Sequence, residues 1–343
     1  MRPVAPPEVT AERPLVRPDG GRTARTGVRS GDVLMVLLAL CIAAYFVQPD
    51  WFSAPGVQAW GTVFAAICLQ ALPFLVLGVL VSAAVSLVPA SFFERALPRS
   101  AVLAVPVAGA AGAVLPGCEC ASVPVAGGLV RRGVAPAAAL AFLLSAPAIN
   151  PVVVIATVVA FPDEPLMAVA RFAASLLVAV VVGWVWAAFG RGDWLRLPQR
   201  AADSGGRSRG RQFLDVAQHD FVHAGGFLVL GGVAAATLNV LVPRAWLDAV
   251  AGDPVLAVLV LAALAVVLSI CSEADAFVAA SLTSFSLTSR LVFLVVGPVV
   301  DLKLIALQSG TFGPRFALRF APVTFVVAVG CALLAAWILL GGR

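Results

Sequence analysis

Long apolar segments alternate with short polar or proline-rich stretches along most of the chain. A helix needs about 20 apolar residues to cross a bilayer, and proline and glycine inside such runs are common in membrane helices. The pattern therefore predicts a polytopic, all-α membrane protein. The candidate spans are 32–49, 60–88, 101–130, 135–161, 166–189, 216–242, 255–285, 290–309 and 319–340.

The distribution of arginine indicates which ends of these segments lie in the cytoplasm. Residues 1–31 contain six arginines and three acidic residues, and residues 190–215 contain the same numbers. Because cytoplasmic segments carry an excess of basic residues, both segments should be cytoplasmic, with the N-terminus on that side. The number of crossings between them must then be even, yet five candidate spans lie there. One of the five is therefore predicted not to cross.

The segment 101–130 is the one predicted to turn back. Pro116 and Gly117 divide it into two arms of about 15 residues, each too short for a full span. Arginines flank both ends of the segment, so both ends should be cytoplasmic. This predicts a re-entrant hairpin whose tip, the sequence CEC at 118–120, lies near the middle of the membrane. Irregular backbone at that depth is stable only when it is buried in protein or lines a wet cavity.

The second half of the chain repeats the first. The sequence FLVLG at 74–78 recurs at 227–231, an offset of 153 residues, and the same offset aligns Cys118 with Cys271. A shared P-x-x-N/D pattern, with Asn150 in one copy and Asp301 in the other, follows at an offset of 151. The arginine distribution places the two copies in opposite orientations, so the second hairpin, within 255–285, enters from the other face. Inverted repeats with broken helices are the architecture of many secondary transporters.

The predicted organisation of the chain thus has five parts. In chain order they are a disordered cytoplasmic tail (1–31), an additional N-terminal span (32–49), transmembrane repeat 1 (60–189), a basic cytoplasmic linker (190–215) and transmembrane repeat 2 (216–340).

Polar and reactive side chains collect at the two predicted hairpin tips. Ionisable residues inside a membrane are costly and usually face a substrate path. Thiolates prefer soft ions, and carboxylates can relay protons or balance positive charge. The candidate substrate-binding residues are Cys118, Glu119, Cys120, Cys271, Ser272, Glu273, Asp275, Asn150 and Asp301, and the candidate metal ligands are Cys118, Cys120 and Cys271.

Structural interpretations of the same residues remain open. A buried cysteine is often a small packing residue. Asn150 and Asp301 follow a proline in each copy, so they stabilise a helix break as readily as they contact substrate. Lys303, the single lysine of the chain, is expected to pair with Asp301. His219 and His223, spaced i, i+4, are typical of a helix end at the membrane interface, although such spacing also suits a metal.

Composition excludes several other classes of protein. Of the 343 residues, 61% are hydrophobic and 12% are charged, about half the charged share of a soluble domain. The basic residues flank apolar segments, which argues against nucleic acid as a partner. The six cysteines lie in or beside apolar segments, so no disulfide framework is expected. The N-terminus does not resemble a secretory signal, and no nucleotide-binding G-x-x-x-x-G-K-[ST] sequence or cofactor motif occurs.

Three segments carry a resemblance to a known family. They are CECASVPVAGGLVRRGVAPAAALAFLLSAPAINPVVVIATVVAFP at 118–162, CSEADAFVAASL at 271–282 and GPVVDLKLI at 297–305. Together they resemble the bacterial predicted-permease family that is related to organoarsenical efflux permeases, in particular its branch with a C-x-C motif. The resemblance implies a multi-pass permease of the bacterial cytoplasmic membrane, often accompanied by a small membrane partner subunit. Glu119 stands where the family motif more often has serine.

The expected function is that of a secondary permease in the lipid bilayer. It would move a small solute or ion, such as a soft metal, a metalloid or an organoarsenical, by alternating access at a midplane site, without enzymatic activity or a cofactor. One alternative is a membrane subunit of a two-component metal permease. The other is a membrane thiol-redox enzyme that uses the C-x-C cysteines, although no companion histidine base lies near them in sequence.

Overall fold

A computed structural model describes residues 54–89, 92, 98, 100–114, 118–195, 209–241 and 252–342. The predicted tail 1–31 and the additional span 32–49 lie outside the described residues. So do the Pro116-Gly117 turn and most of the linker 190–215.

The described part of the chain is predominantly helical and contains no strand. The helices of the first half are α1 (Pro55–Leu87), α2 (Ala101–Ala111), α3 (Glu119–Arg131), α4 (Pro136–Ile149), α5 (Pro151–Ala160) and α6 (Leu166–Phe189). Those of the second half are α7 (Arg209–Leu241), α8 (Pro254–Leu268), α9 (Asp275–Ser281), α10 (Leu287–Val296), α11 (Leu302–Phe312) and α12 (Pro314–Leu339). Short 3₁₀ turns at Gly112–Val114 and Gly192–Trp194 complete the regular structure.

Five helical segments in the described residues are long and apolar enough to cross a membrane. They are Pro55–Leu87, Pro136–Ala160, Leu166–Phe189, Gly210–Leu241 and Pro314–Leu339. Because lipid offers no hydrogen-bond partners, helices that satisfy their own backbone are the natural solution for such segments. The prediction of an all-α polytopic membrane protein is confirmed.

Two predicted spans are interrupted in the same way. The segment 135–161 breaks at Asn150, whose side chain accepts a hydrogen bond from Val153 N at 3.0 Å and so caps α5. The segment 290–309 breaks before α11, where the Asp301 side chain accepts from Leu304 N. The residue before a proline disfavours helical geometry, which explains the break ahead of Pro151. The proline before each position indicates a helix break as one of two interpretations, and both side chains cap the helix that follows the break.

The start of α7 also differs from the prediction. Helix α7 begins at Arg209, within the segment predicted as linker, whereas the apolar pattern placed the span at 216. No proline interrupts the chain between these positions, so the helix extends as a polar turn beyond its apolar part.

Helices α2 and α3, the two arms of the predicted hairpin, both pack against α4. Near the start of α2, Ala104 packs in a cluster with Val134 and Ala138, and Leu129 at the end of α3 packs against the same cluster. The start of α2 and the end of α3 therefore lie close together, as a re-entrant hairpin requires, and the hairpin itself stays a prediction. Both arms are too short to cross, because the apolar segment that contains α2 is only Ala101–Val114.

The long helices at corresponding positions of the two halves lie antiparallel. Trp60 Nε1 near the start of α1 donates to Thr237 Oγ1 near the end of α7 at 3.0 Å, and Ser82 near the end of α1 donates to Asp220 near the start of α7 at 2.9 Å. This is the arrangement that inverted copies require. The identical order of helices supports the duplication, which itself stays a prediction.

A glycine sets the distance between α1 and the hairpin. A Cβ at Gly78 would lie 2.7 Å from the carbonyl oxygen of Ala121 and closer still to its Cα. The absence of a side chain at Gly78 thus allows α1 to pack directly beside the hairpin tip.

We expect Gly78→Ala to lower the free energy of unfolding by about 1–3 kcal/mol, because the added methyl overpacks a backbone contact. Gly61→Ala on the same helix is the matched control, because a Cβ there meets nothing within 4 Å and should cause no loss. The measurement is the thermal unfolding midpoint of both variants in one detergent. Equal midpoints would show that α1 and α3 are not in close contact.

Candidate functional site

The tips of the two hairpins meet in the buried interior. Cys118, Cys120 and Cys271 belong to one buried cluster, in which ligand atoms of Cys118, Glu119 and Cys120 lie within 4.8 Å of one another. Cys118 and Cys120 have no exposed surface and Cys271 has 2%. Cys118 directly precedes α3, and Cys271 lies in the short non-helical segment that connects α8 to α9. The offset that aligned Cys118 with Cys271 in sequence therefore joins two residues that are neighbours in space.

Glu119 forms a buried ion pair with Lys303, and each side chain is 1% exposed. The Lys303 ammonium also donates to the carbonyl oxygen of Ser269 at 3.2 Å, and it lies 3.7 Å from Asp301 Oδ2. The expected pair between Lys303 and Asp301 is present, and Glu119 is a second, nearer partner of the same ammonium. Sequence spacing could not indicate the nearer partner, because Glu119 belongs to the other half of the chain.

A second buried ion pair joins Arg171 of α6 to Asp275 at the start of α9. Arg171 Nη2 lies 2.8 Å from Asp275 Oδ1 and 2.9 Å from its Oδ2, and it also donates to Ser272 O at 2.9 Å. Arg171 Nη1 donates to Thr157 Oγ1 of α5 at 2.8 Å. Sequence reasoning missed Arg171. The signal was its position as the sole charged residue within the apolar span 166–189.

The two ion pairs are arranged in the same way. In each, the carboxylate stands in the first turn of the second helix of a hairpin, where the helix dipole favours negative charge. In each, the cation comes from the other half of the chain. The pairs therefore hold the hairpin of each half against the helices of its counterpart.

Four predicted site residues retain buried oxygens that form no hydrogen bond. The atoms are Glu119 Oε2, Ser272 Oγ, Glu273 Oε2 and Asp301 Oδ2. Buried polar atoms in native proteins usually have partners. Their concentration around the hairpin tips marks this region as one that can accept a ligand.

The side chains of Asn150 and Asp301 make different contacts. The Asn150 amide bonds to the backbone on either side of its own helix break: it donates to Ala146 O at 3.1 Å and accepts from Val153 N. Asp301 uses one oxygen for the same capping contact and keeps the other beside Lys303. The structure places Asp301 in the charged centre and gives Asn150 a role in helix geometry.

Three potential metal ligands lie close together at the hairpin tip. Among the described residues, a single group of three histidine, cysteine or acidic side chains brings its ligand atoms within 4.8 Å of one another, and it consists of Cys118, Glu119 and Cys120. His219 and His223 stack with ring centroids 5.9 Å apart, and His223 Nε2 lies 2.9 Å from Gly310 O. They line a small cavity with Pro124, Arg131, Asp220, Ala224 and Thr311. Thiolates and a carboxylate at the tip suit a soft cation.

The fold and this centre define a class of protein. Buried charges at the ends of interrupted helices, enclosed within a multi-pass helical membrane protein, are typical of solute transporters.

Comparison with known proteins agrees with this class. Residues 57–337 match the family described as "Predicted permease", and the chain belongs to that family. It is 32% identical over 281 residues to the UPF0718 protein YcgR of Bacillus subtilis (strain 168), with 78% of this chain and 93% of that protein covered. It is 27% identical over 275 residues to a Streptococcus mutans serotype c protein named "Putative two-component membrane permease complex subunit", with 78% and 91% covered. No solved structure matches the chain.

The family membership confirms the resemblance carried by the C-x-C sequence and its companion segments. It also points to a transporter rather than an enzyme. A permease lies in a lipid bilayer, and its substrates are small solutes or ions.

We expect Arg171→Met to lower the free energy of unfolding by about 3–5 kcal/mol, because it leaves the buried Asp275 carboxylate unpaired. The double variant Arg171→Met/Asp275→Leu should recover most of that loss, because neither charge remains. The measurement is thermal unfolding of the detergent-purified chain.

Arg319→Met is the matched control for this experiment. Arg319 is exposed and lies 4.4 Å from the centroid of the Trp194 ring, a contact of about 0.5–1 kcal/mol. If Arg171→Met lost no more stability than Arg319→Met, the buried pair would not hold α9 in place.

Proposed function

We propose that the protein is a secondary permease of the bacterial cytoplasmic membrane that works by alternating access around the two hairpin tips. The observation that carries the proposal is that Cys118 and Cys271, from different halves of the chain, are buried in the same cluster, beside a lysine that contacts both Glu119 and Ser269 O. A site to which both halves contribute is the site whose access changes when the halves move against one another. The N-terminus is assigned to the cytoplasm on the arginine distribution.

The substrate class follows from the donor atoms at the tips. The tips combine three thiols with several carboxylate oxygens, and sulfur binds soft metals, metalloids and organoarsenicals in preference to hard ions. Cys118, Cys120 and Cys271 are assigned as the soft ligands or closest substrate contacts. Glu119, Glu273, Asp275 and Asp301 supply negative charge around them, and Ser272 supplies a hydroxyl. Asn150 shapes the cavity through its cap of α5.

Transport against a gradient needs an energy source, and the chain carries no nucleotide-binding sequence. We assign the energy to an ion gradient or to a separate subunit. The second candidate, a subunit of a two-component permease complex, is favoured by the name of the Streptococcus mutans relative. The thiol-redox alternative has only the C-x-C spacing in its support.

Loss of the central thiol or carboxylate should abolish transport. In a strain that lacks this protein, we expect Cys118→Ser and Glu119→Gln to restore resistance to the exported soft metal or arsenical at least tenfold less well than the unchanged chain. The measurement is growth and cellular accumulation across metals, metalloids and organoarsenicals.

Cys68→Ser is the control, because Cys68 lies on α1, has no part in the thiol cluster and should be fully active. Full complementation by both central variants would overturn the assignment of the site. Flux through the purified chain alone in liposomes would in turn exclude an obligatory partner subunit.

A further inference from the structure

Carboxyl groups outnumber cations at the centre. Glu119, Asp301 and Lys303 lie together, each 1% exposed or less, so two carboxyl groups face one ammonium group. Arg171 and Asp275 neutralise one another nearby. Glu273, partly buried beside them, adds a further carboxylate. An unmatched charge is costly in a buried site, so the centre favours a ligand that brings positive charge.

Lys303 occupies a position from which its ammonium can move. It contacts Glu119 and Ser269 O, and the free oxygen of Asp301 lies 3.7 Å from the same nitrogen. A normal charge-assisted hydrogen bond spans about 2.8 Å, so a shift of about 1 Å would complete a pair with Asp301. Lysine carries a compact charge on a flexible four-carbon chain, which suits such an exchange.

Packing holds the backbone at Lys303 in place, so only its side chain can change partner. Asp301 caps the start of α11, and a Cβ at Gly231 of α7 would lie 2.7 Å from the Cα of Lys303. Helix α11 is therefore packed tightly against α7 at this point. A change of partner for the ammonium must come from side-chain rotation.

We propose that Lys303 is a tethered counter-cation, and that the cargo is a soft metal cation which takes its place at Glu119. The cargo binds the Glu119 carboxylate and the neighbouring thiols, and the displaced ammonium pairs with Asp301. Each thiol that binds as a thiolate gives its proton to solvent, which adds to the negative charge that the cargo must offset. In the empty site Glu119 is paired with Lys303 and the Asp301 carboxyl group is in excess. In the loaded site Lys303 pairs with Asp301, and the positive charge of the cargo offsets Glu119 and any thiolate that it binds.

This inference rests on the proposed substrate site and deepens it. It favours a soft metal cation over a neutral metalloid compound, because a neutral ligand would leave both the excess charge and the Glu119–Lys303 pair as they are. Sulfur ligands alone would accept either kind of substrate.

The decisive variant is Asp301→Asn in the purified full chain, with Ag⁺ binding measured by equilibrium dialysis and metal analysis. Asparagine keeps the helix cap, as Asn150 does for α5, but no longer offers a charge to the displaced ammonium. We expect the dissociation constant for Ag⁺ to rise at least tenfold. Binding of phenylarsine oxide, a neutral trivalent arsenical, should change less than twofold. Asp253→Asn, which alters the exposed cap of α8, is the matched control and should change neither.

A second variant tests the tether itself. Lys303→Met removes the competing cation, so we expect the dissociation constant for Ag⁺ to fall at least tenfold. Unchanged or weaker Ag⁺ binding by a monodisperse Lys303→Met protein would overturn the proposal. So would an equal change in the dissociation constants for Ag⁺ and phenylarsine oxide in Asp301→Asn. If Lys303→Met does not purify as a folded protein, the result for Asp301→Asn decides alone.

The binding measurement separates this inference from the proposed function. Ag⁺ binding that depends on Lys303 and Asp301, in a protein that transports nothing with or without a partner, would overturn the permease proposal alone. Transport of a neutral arsenical, with binding insensitive to both residues, would overturn the tethered-cation proposal alone.

Discussion

The buried ion pair between Glu119 and Lys303 determines how the first hairpin sits in the protein. Glu119 begins α3 and Lys303 lies in the first turn of α11, so the pair joins elements from different halves of the chain. Two charges removed from water must find one another, because an isolated charge in a buried site costs several kcal/mol. The position of the hairpin tip, and with it the positions of Cys118 and Cys120, therefore depends on this contact. Arg171 and Asp275 hold the second hairpin in the corresponding way.

The two halves use the same backbone device and place different charges on it. Each half contains a helix interrupted by a side chain that caps the helix after the break. Asn150 is neutral and its amide is satisfied within the first half. Asp301 is an acid, and its second oxygen is left to Lys303. A neutral cap makes a break stable, whereas an acidic cap makes the break a charged site. The negative charge of the centre thus lies beside the second interrupted helix and at the hairpin tips.

The sequence indicates more of the topology than of the contacts. Counting arginines predicts that 101–130 turns back, because the side of the membrane is set by many residues together. The offset of 153 pairs Cys118 with Cys271, because the tips of inverted hairpins occupy related positions. The partners of Glu119 and Asp275 were not predictable, since Lys303 and Arg171 come from helices whose packing is not encoded in spacing. The break at Asn150 was one of two interpretations that the sequence left open, because the neighbouring prolines favour a break while the apolar pattern continues across it.

The two cross-half ion pairs bear directly on how access could alternate in the proposed cycle. If both pairs broke whenever the halves moved, each movement would expose several buried charges to an apolar interior, at about 3–5 kcal/mol for each unpaired group. If both stayed intact, the hairpin tips could not separate. A ligand that replaces Lys303 at Glu119 avoids both problems, because the first hairpin is released from α11 without leaving a charge unpaired. Arg171 and Asp275 meanwhile keep the second hairpin in place. Binding of the cargo would then be the event that releases the first hairpin.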